Sequence, residues 1–146
     1  MQPSDVSDTQ LEIIRARVER SGLDNVRQPL ELNASGDWSD VQADVMLSIN
    51  MIHISPWAAT LGLFRNAARV LPDGGVLLTY GPYLCADVET AESNLAFDAD
   101  LKRRNPEWGI RHLDVLSEVA SEAGFTLEAR HDCPANNFVC VFRKGG

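Results

Sequence analysis

The last two apolar segments of the chain constrain its fold most strongly. Residues 125–130 alternate apolar with polar side chains, which predicts a strand with one solvated face. Residues 138–142 are apolar throughout, which predicts a strand that is buried on both faces. The connection Asp132–Asn137 is too short for a parallel return, which needs a crossover of about a dozen residues or more. We therefore expect an antiparallel hairpin whose final strand lies inside the sheet and whose first strand lies at the edge.

The segments before this hairpin alternate between strand and helix patterns. Such alternation favours an α/β domain with a mostly parallel sheet. Strands are predicted over Asp44–Ile49, over Val76–Tyr80 and, from a weaker signal, over Val26–Leu32. The length of 146 residues suits a single domain spanning 1–146.

Capping residues and apolar periodicity predict the helices. The first helix begins with the capping box formed by Ser7 and Gln10, and it ends before Gly22. The second begins with Ser55 as N-cap and Pro56 in its first position. The first helix is predicted over 8–21, and the two helices after the second are predicted over Glu92–Arg104 and Leu113–Ala123. The side chains predicted to face inward from the later helices are Leu61, Phe64, Ala68, Leu71, Leu95, Ala96, Leu101, Leu113, Leu116, Val119, Ala120 and Ala123.

The charge balance and the cysteines limit the possible partners. With 13 basic and 21 acidic residues the net charge is −8, which excludes sequence-independent nucleic-acid binding and disfavours anionic membranes. No apolar run approaches the roughly 20 residues that a membrane span requires. The three cysteines show no CxxC spacing, so we expect reduced thiols in a cytoplasmic protein and no metal site.

Five short blocks carry a resemblance to a known family. They are Asn50–Trp57, Tyr80–Tyr83, Ser93–Asn94 with Phe97–Asp98, Trp108–Arg111 and Pro134–Asn137. In this order, and with the terminal hairpin, they closely resemble the domain-of-unknown-function 938 family of class I S-adenosylmethionine-dependent methyltransferase-like proteins. The resemblance covers nearly the whole chain.

This resemblance implies a Rossmann-like class I methyltransferase fold, S-adenosylmethionine as cofactor and a small molecule as methyl acceptor. Members of that superfamily begin with a strand and a glycine-rich turn, which lets the backbone approach the cofactor. The ten glycines of this chain include no GxGxG pattern. The resemblance therefore implies that an N-terminal βα unit is missing, and we expect residues 1–146 alone to bind the cofactor poorly.

Three residues are predicted to contact the cofactor. Asp5 matches the acid that binds the two ribose hydroxyls, and a carboxylate accepts two hydrogen bonds from such a diol; the alternative is a solvated acid. Asn33 matches the position that touches the adenine amine, although Asn33–Gly36 is also ordinary loop chemistry. Asn50 follows a predicted parallel strand, at the edge where open α/β sheets bind ligands.

The reacting groups are predicted to be Asn50 and His53. The resemblance places their loop beside the transferring methyl group, and His53 suits a general base because its ordinary pKa is near neutrality. The alternative is a loop histidine that bonds to the backbone. Trp57, on the following helix, is predicted to form a wall of the substrate pocket or to pack against the sheet.

The other predicted substrate contacts are Tyr83, Asn94 and Arg111. Tyr83 follows the Gly81-Pro82 pair, which also serves to end a strand. Asn94 and Arg111 lie in the insertion that usually determines substrate specificity in such enzymes. Arg111 is predicted to hold a carboxylate or phosphate, or to pair with an acidic residue of the chain.

Two hypotheses for function follow. In the first, the chain is a small-molecule methyltransferase. In the second, it is a truncated or degenerate homologue without catalytic activity that serves as an interaction module. A sheet without its first strand exposes an edge with unpaired N–H and C=O groups, so the second hypothesis includes a homodimer through that edge.

Overall fold

The computed structural model describes residues 1–146 as six strands and four α-helices. The strands are β1 (Ser4–Asp5), β2 (Leu30–Glu31), β3 (Val45–Ile49), β4 (Val76–Gly81), β5 (Phe125–Cys133) and β6 (Asn137–Lys144). The helices are α1 (Asp8–Ser21), α2 (Trp57–Val70), α3 (Glu92–Arg104) and α4 (Leu113–Glu122). None of the four helices combines the length and the apolar character needed to cross a membrane.

The predicted terminal hairpin is confirmed. Strands β3, β4, β6 and β5 form one sheet in this order, with β3 parallel to β4 and with β6 antiparallel to both β4 and β5. The final strand therefore lies inside the sheet and β5 lies at its edge. The connection is shorter than predicted, because pairing continues to Cys133 and Asn137 and leaves only Pro134–Asn136 as the turn.

A second, separate sheet contains only β1 and β2, which pair in parallel. The strand predicted over Val26–Leu32 is therefore wrong for all but its end, Leu30–Glu31. Pro29 has no N–H to donate, and the first pairing bond after it runs from Leu30 N to Pro3 O, at 3.0 Å. The partner strand is two residues long, so β2 can extend no further than β1.

The capping residues predicted for α1 and α2 have different outcomes. For α1, Ser7 accepts a hydrogen bond from Gln10 N and Gly22 adopts the left-handed conformation (φ 63°), so the N-cap residue and the C-terminal glycine are confirmed. The reciprocal bond of the predicted capping box is absent, because Ser7 N donates to Asp5 Oδ1 and not to the Gln10 side chain. The prediction that Ser55 caps α2 is wrong. Its hydroxyl donates to Met51 O at 2.6 Å, and Pro56 is the N-cap without a side-chain hydrogen bond.

The core lies between the sheet and helices α2 and α4. The ring of Phe64 meets the rings of Phe125 and Phe142 edge to face, with centroids 5.9 and 5.2 Å apart. Leu116 and Ala120 of α4 are also fully buried. Burying a large apolar side chain of this kind stabilises the fold by about 1.5–3 kcal/mol.

Some predicted inward positions are wrong. Leu61 on α2 is exposed, and on α3 Leu95 and Ala96 are exposed while Asn94 and Leu101 are buried. The inward stripe of α3 runs through positions 94, 97, 98 and 101, because hydrogen bonds from Asn94 to the β5–β6 turn set the rotation of the helix.

One face of the larger sheet is open. Val45, Leu47 and Ile49 of β3 are 58%, 61% and 59% exposed. The register places Val139 and Val141 of β6 on the same face, where both are half-buried. The prediction that β6 is buried on both faces is therefore wrong for this face, since no helix of the chain packs over it as α2 and α4 do over the other.

The loop 33–37, which follows β2, packs against α2. Asn66 Nδ2 donates to the carbonyl oxygens of Ala34 and Gly36, at 3.2 and 2.9 Å. Gly62 permits this contact, because a Cβ at that position would lie 2.1 Å from Ala34 O. The neighbouring atoms belong to the backbone, so they have little freedom to move away.

The variant Gly62→Ala tests this contact. We expect a loss of about 1–3 kcal/mol in the free energy of unfolding from overpacking, although alanine is intrinsically better in a helix by about 1 kcal/mol. Urea unfolding followed by circular dichroism measures the change. The control is Ala58→Gly, at an exposed position of the same helix, which should cost no more than about 1 kcal/mol. A Gly62→Ala protein as stable as the parent would contradict the close approach of the loop.

Candidate functional site

The carboxyl ends of β3, β4 and β5 meet at one edge of the larger sheet, since these three strands run in the same direction. Asn50 follows β3 in a left-handed conformation (φ 56°) that asparagine tolerates better than most residues. Its N–H donates to Tyr80 O at 2.8 Å, and its carbonyl oxygen accepts from His53 N at 3.1 Å. This tight turn directs the chain back towards the end of β4 and places His53 there.

His53 lies fully buried in this turn. Its side chain is 0% exposed, and neither Nδ1 nor Nε2 has a hydrogen-bond partner. Burial, with a smaller contribution from the positive charge of Arg111, lowers the pKa of His53 to about 4. The imidazole is therefore uncharged at neutral pH. Gly109 N–H donates to His53 O at 2.9 Å and holds the backbone from the other side.

Gly81 lies directly against the His53 ring. A Cβ at Gly81 would lie 2.6 Å from His53 Nε2 and 3.1 Å from Asn50 Oδ1. Only a residue without a side chain allows both groups to occupy this place. The sequence predicts Gly81 only as the end of a strand, and the Gly81-Pro82 pair is its one signal at this contact.

Tyr83 supports the other side of the imidazole. The two rings meet edge to face with centroids 4.8 Å apart, and Tyr83 is 2% exposed. Its hydroxyl donates to Thr79 Oγ1 at 2.8 Å, while burial raises its pKa above the ordinary value. Tyr83 is therefore a neutral, enclosed neighbour of His53 in this structure.

Arg111 fastens the segment before α4 to the turn after β3. Its Nε donates to Ile52 O at 3.3 Å, and its Nη2 donates to Ser55 O and Glu107 O, both at 2.8 Å. The guanidinium lies over the ring of Trp57, 5.4 Å from the ring centroid. Through these contacts Arg111 lies beside both Trp57 and the turn that contains His53, so the three residues form one group. Trp57 is partly exposed.

Asn94 is buried at the start of α3, where it binds the β5–β6 turn. Its Nδ2 donates to Asn136 O at 2.9 Å and to Asn136 Oδ1 at 3.1 Å. Asn136 Oδ1 also accepts from Ala91 N at 3.0 Å, and both Ala135 and Asn136 have positive φ. The structure thus gives Asn94 a structural partner that the sequence analysis did not identify.

Asp5 and Asn33 lie apart from this group, at the ends of β1 and β2. Asp5 Oδ1 accepts from Ser7 N at 2.8 Å, and Asp5 Oδ2 has no protein partner. Asn33 Oδ1 accepts from Ser35 N at 2.9 Å, while the Asn33 amide NH2 remains free. A free carboxylate oxygen fits the hydroxyls of a ribose, and a free amide NH2 fits an acceptor nitrogen of an adenine ring and not the adenine amine.

Two surface clefts lie elsewhere on the chain. One, of about 310 Å³, is lined by residues of α2 and by Val119, Glu122 and Ala123 near the end of α4. The other, of about 250 Å³, is lined by residues of the β5–β6 sheet edge, among them Arg143 and Lys144. Neither contains a predicted site residue.

Comparison with known proteins identifies the family. The family profile described as "Protein of unknown function (DUF938)" matches residues 1–144. The chain belongs to this family. The predicted resemblance is therefore confirmed over nearly its full extent.

Solved methyltransferases share the fold. Mitomycin 7-O-methyltransferase MmcR aligns with a TM-score of 0.84 at 18% identity, over 99% of this chain and 41% of that chain. The S-adenosylmethionine-dependent methyltransferase SibL aligns with a TM-score of 0.80 at 22% identity, over 99% and 43%. Human N-acetylserotonin methyltransferase in complex with SAM aligns with a TM-score of 0.79 at 16% identity, over 99% and 40%. The DUF938 chain thus has the α/β fold of class I methyltransferases and spans less than half of each of these chains.

The stability of the DUF938 chain should depend on the protonation of His53. The folded state has a pKa of about 4 at this residue and the unfolded state 6.5, so below pH 6.5 the unfolded state binds the proton more readily. The His53 contribution therefore favours folding at high pH and is lost as the pH falls. Between pH 7 and pH 5 we expect this residue to reduce the free energy of unfolding by about 2 kcal/mol.

Urea unfolding of the parent and of His53→Gln at both pH values measures this effect. The loss on acidification should be smaller in His53→Gln by the amount assigned to His53. His131→Gln, at an exposed position of β5, is the matched control and should retain the parent's pH dependence. Equal pH dependence in the parent and in His53→Gln would contradict an uncharged, enclosed imidazole.

Proposed function

We propose that this DUF938 chain takes part in S-adenosylmethionine-dependent methyl transfer to a small molecule. The observation that carries the proposal is the enclosed His53 ring, whose two nitrogens have no protein partner at the edge where β3 and β4 end. Leaving a buried polar group unsatisfied costs about 1–3 kcal/mol, so such a group in a native fold calls for a functional explanation. A base that stays uncharged at neutral pH provides one.

In this proposal the chain supplies binding groups and a base. S-adenosylmethionine, when bound, supplies an electrophilic methyl group. Asp5 binds the ribose hydroxyls and Asn33 binds the adenine. His53 would accept the proton that the O–H or N–H of the acceptor loses when the acceptor is methylated. Because the ring is enclosed, the acceptor has to displace a neighbouring side chain to reach it.

The remaining predicted site residues take two kinds of role. Asn50, which shapes the turn that contains His53, orients the reacting groups and contacts the cofactor. Trp57 and Arg111 contact the substrate, since both are partly exposed beside His53. Tyr83 and Asn94 are enclosed, and we assign them to positioning the imidazole and the insertion that contains α3.

The variant Asp5→Asn tests the cofactor end of the proposal. The amide keeps the acceptor for Ser7 N but removes the charge, and charge-assisted hydrogen bonds are roughly twice as strong as neutral ones. We expect binding of S-adenosylmethionine to residues 1–146 to be weaker than micromolar and to weaken by about tenfold more in Asp5→Asn, a change of about 1.4 kcal/mol. Titrations followed by amide NMR shifts measure such weak binding.

The matched control for this titration is Glu12→Gln, which removes the same charge from an exposed position on α1. It should bind like the parent. Adenosine, as a second probe, should shift the same amides near Asp5 and Asn33. Shifts that avoid both residues, or an unchanged affinity in Asp5→Asn, would contradict their assignment to the cofactor.

A second candidate function is an interaction module without catalysis, favoured by the open edge of β3. This strand is hydrogen-bonded on one side only, and it contains no charged residue. Two copies of this highly acidic chain could therefore approach at β3 without direct charge repulsion. An antiparallel pairing of two β3 strands about a two-fold axis would satisfy the free backbone groups of both.

The variant Leu47→Lys tests this dimer. Leu47 is the middle residue of β3, so a pairing centred on it places two lysines opposite each other, which is unfavourable. Sedimentation velocity should show a dimer for the parent and a monomer for the variant. Leu61→Lys, at an exposed leucine on α2, is the control and should remain dimeric. A monomeric parent would contradict this candidate.

A further inference from the structure

Arg111 is a partly buried cation without an acidic partner. The chain has an excess of eight acidic residues, yet no carboxylate oxygen lies within 4.0 Å of the Arg111 guanidinium. The acid whose charge acts on it, Asp98, is already engaged. Asp98 Oδ2 pairs with Lys102 Nζ at 2.5 Å, and Asp98 Oδ1 accepts from Ile110 N at 2.8 Å.

The guanidinium is held in place by three neutral acceptors. Of the five N–H donors of an arginine, the one on Nε and the two on Nη2 donate to the carbonyl oxygens of Ile52, Ser55 and Glu107. The ring of Trp57 lies against its face. Both N–H groups of Nη1 have no acceptor in the chain. A donor fixed in this way loses little conformational freedom when a ligand binds, which favours binding.

We propose that Nη1 of Arg111 binds a carboxylate group on the small molecule that the site near His53 accepts. The identification of that molecule as a methyl acceptor rests on the proposed function, whereas the anion site itself rests on the Arg111 contacts. One nitrogen with two free N–H groups suits a singly charged carboxylate. A phosphate carries more charge and more acceptor oxygens than one such nitrogen can satisfy.

The position of Arg111 also links such an anion to His53. The charged and titratable groups that act on the imidazole are Arg111, which lowers its pKa, and Asp98, which raises it, with Tyr83 packed as a neutral ring. A carboxylate on Nη1 offsets the positive charge of Arg111. Binding of the anion therefore makes His53 a stronger base, and this supplies a readout that needs neither the cofactor nor turnover.

Benzoate is the probe for the test, and benzamide is its neutral counterpart of similar shape. In NMR titrations at pH 7 without S-adenosylmethionine, we expect benzoate to shift the Arg111 Nε–Hε and Trp57 indole signals with a Kd of about 1 mM. Benzamide should leave both signals unchanged. With benzoate bound, the pKa of the His53 imidazole should rise, so the ring should begin to protonate at a higher pH than in the free chain.

Two variants locate the effect. Arg111→Lys keeps the charge but cannot form the three carbonyl contacts that fix the guanidinium and orient Nη1, so benzoate should bind about tenfold more weakly, with circular dichroism confirming the fold. Arg104→Met is the control, because Arg104 lies over Trp108 at 5.3 Å in a similar but exposed pair. It should bind benzoate like the parent, and the comparison of benzoate with benzamide needs no variant at all.

The outcomes separate this inference from the proposed function. Equal shifts with benzamide, or benzoate binding to Arg111→Lys as tight as to the parent, would overturn the anion site. Inorganic phosphate binding more tightly than benzoate would overturn the carboxylate class. Benzoate binding at Arg111 together with no adenosine binding at Asp5 would support the anion site and count against methyl transfer.

Discussion

Strand β6 lies between β4 and β5 and is hydrogen-bonded to both, and the rest of the structure depends on this insertion. Its alternate residues Phe138, Cys140 and Phe142 are fully or almost fully buried, and they form the surface on which α2 and α4 pack. Because β6 runs antiparallel to both neighbours, β4 and β5 run in the same direction as β3. The turns that follow β3, β4 and β5 consequently meet at one edge of the sheet, where His53, Trp57 and Arg111 lie together.

The parts of the fold that sequence predicts well are those in which local and global requirements agree. The alternation in residues 125–130 and the apolar run in 138–142 predict the hairpin, because burial of both segments and the short turn demand the same pairing. Ser55 shows the opposite case. Its type and its place before Pro56 favour a cap, but the turn after Asn50 brings Met51 O within 2.6 Å of its hydroxyl. The rotation of α3 likewise depends on a partner in the β5–β6 turn, which no periodicity reveals.

The properties of the candidate site also fall into those that the sequence predicts and those that it does not. A parallel strand ending at Asn50 is enough to predict that His53 lies at the carboxyl edge. The low pKa of His53 is not predictable from sequence, since it results from burial by residues distant along the chain, Gly81 and Tyr83. The role of Arg111 is not predictable from sequence either, because it depends on the groups that the side chain contacts. Three backbone carbonyls hold Arg111, and that arrangement leaves its charge without the acidic partner that an acidic sequence would suggest.

The proposed site has a cofactor end at Asp5 and Asn33 and a reacting end at His53. The distance between these two ends depends on a contact outside both, that of the loop 33–37 with α2. Asp5 and Asn33 belong to the β1–β2 sheet, whereas His53 and Arg111 belong to the larger one, and no strand pairing joins the two sheets. The loop 33–37 follows β2 and packs against α2, and its position is set by Asn66 and by the absence of a side chain at Gly62. Since Asn33 begins this loop, any shift of the loop on α2 moves the proposed adenine-binding residue relative to His53. Alignment of a methyl donor with an acceptor tolerates little displacement, so a helix-packing glycine far from the chemistry becomes a determinant of the proposed reaction.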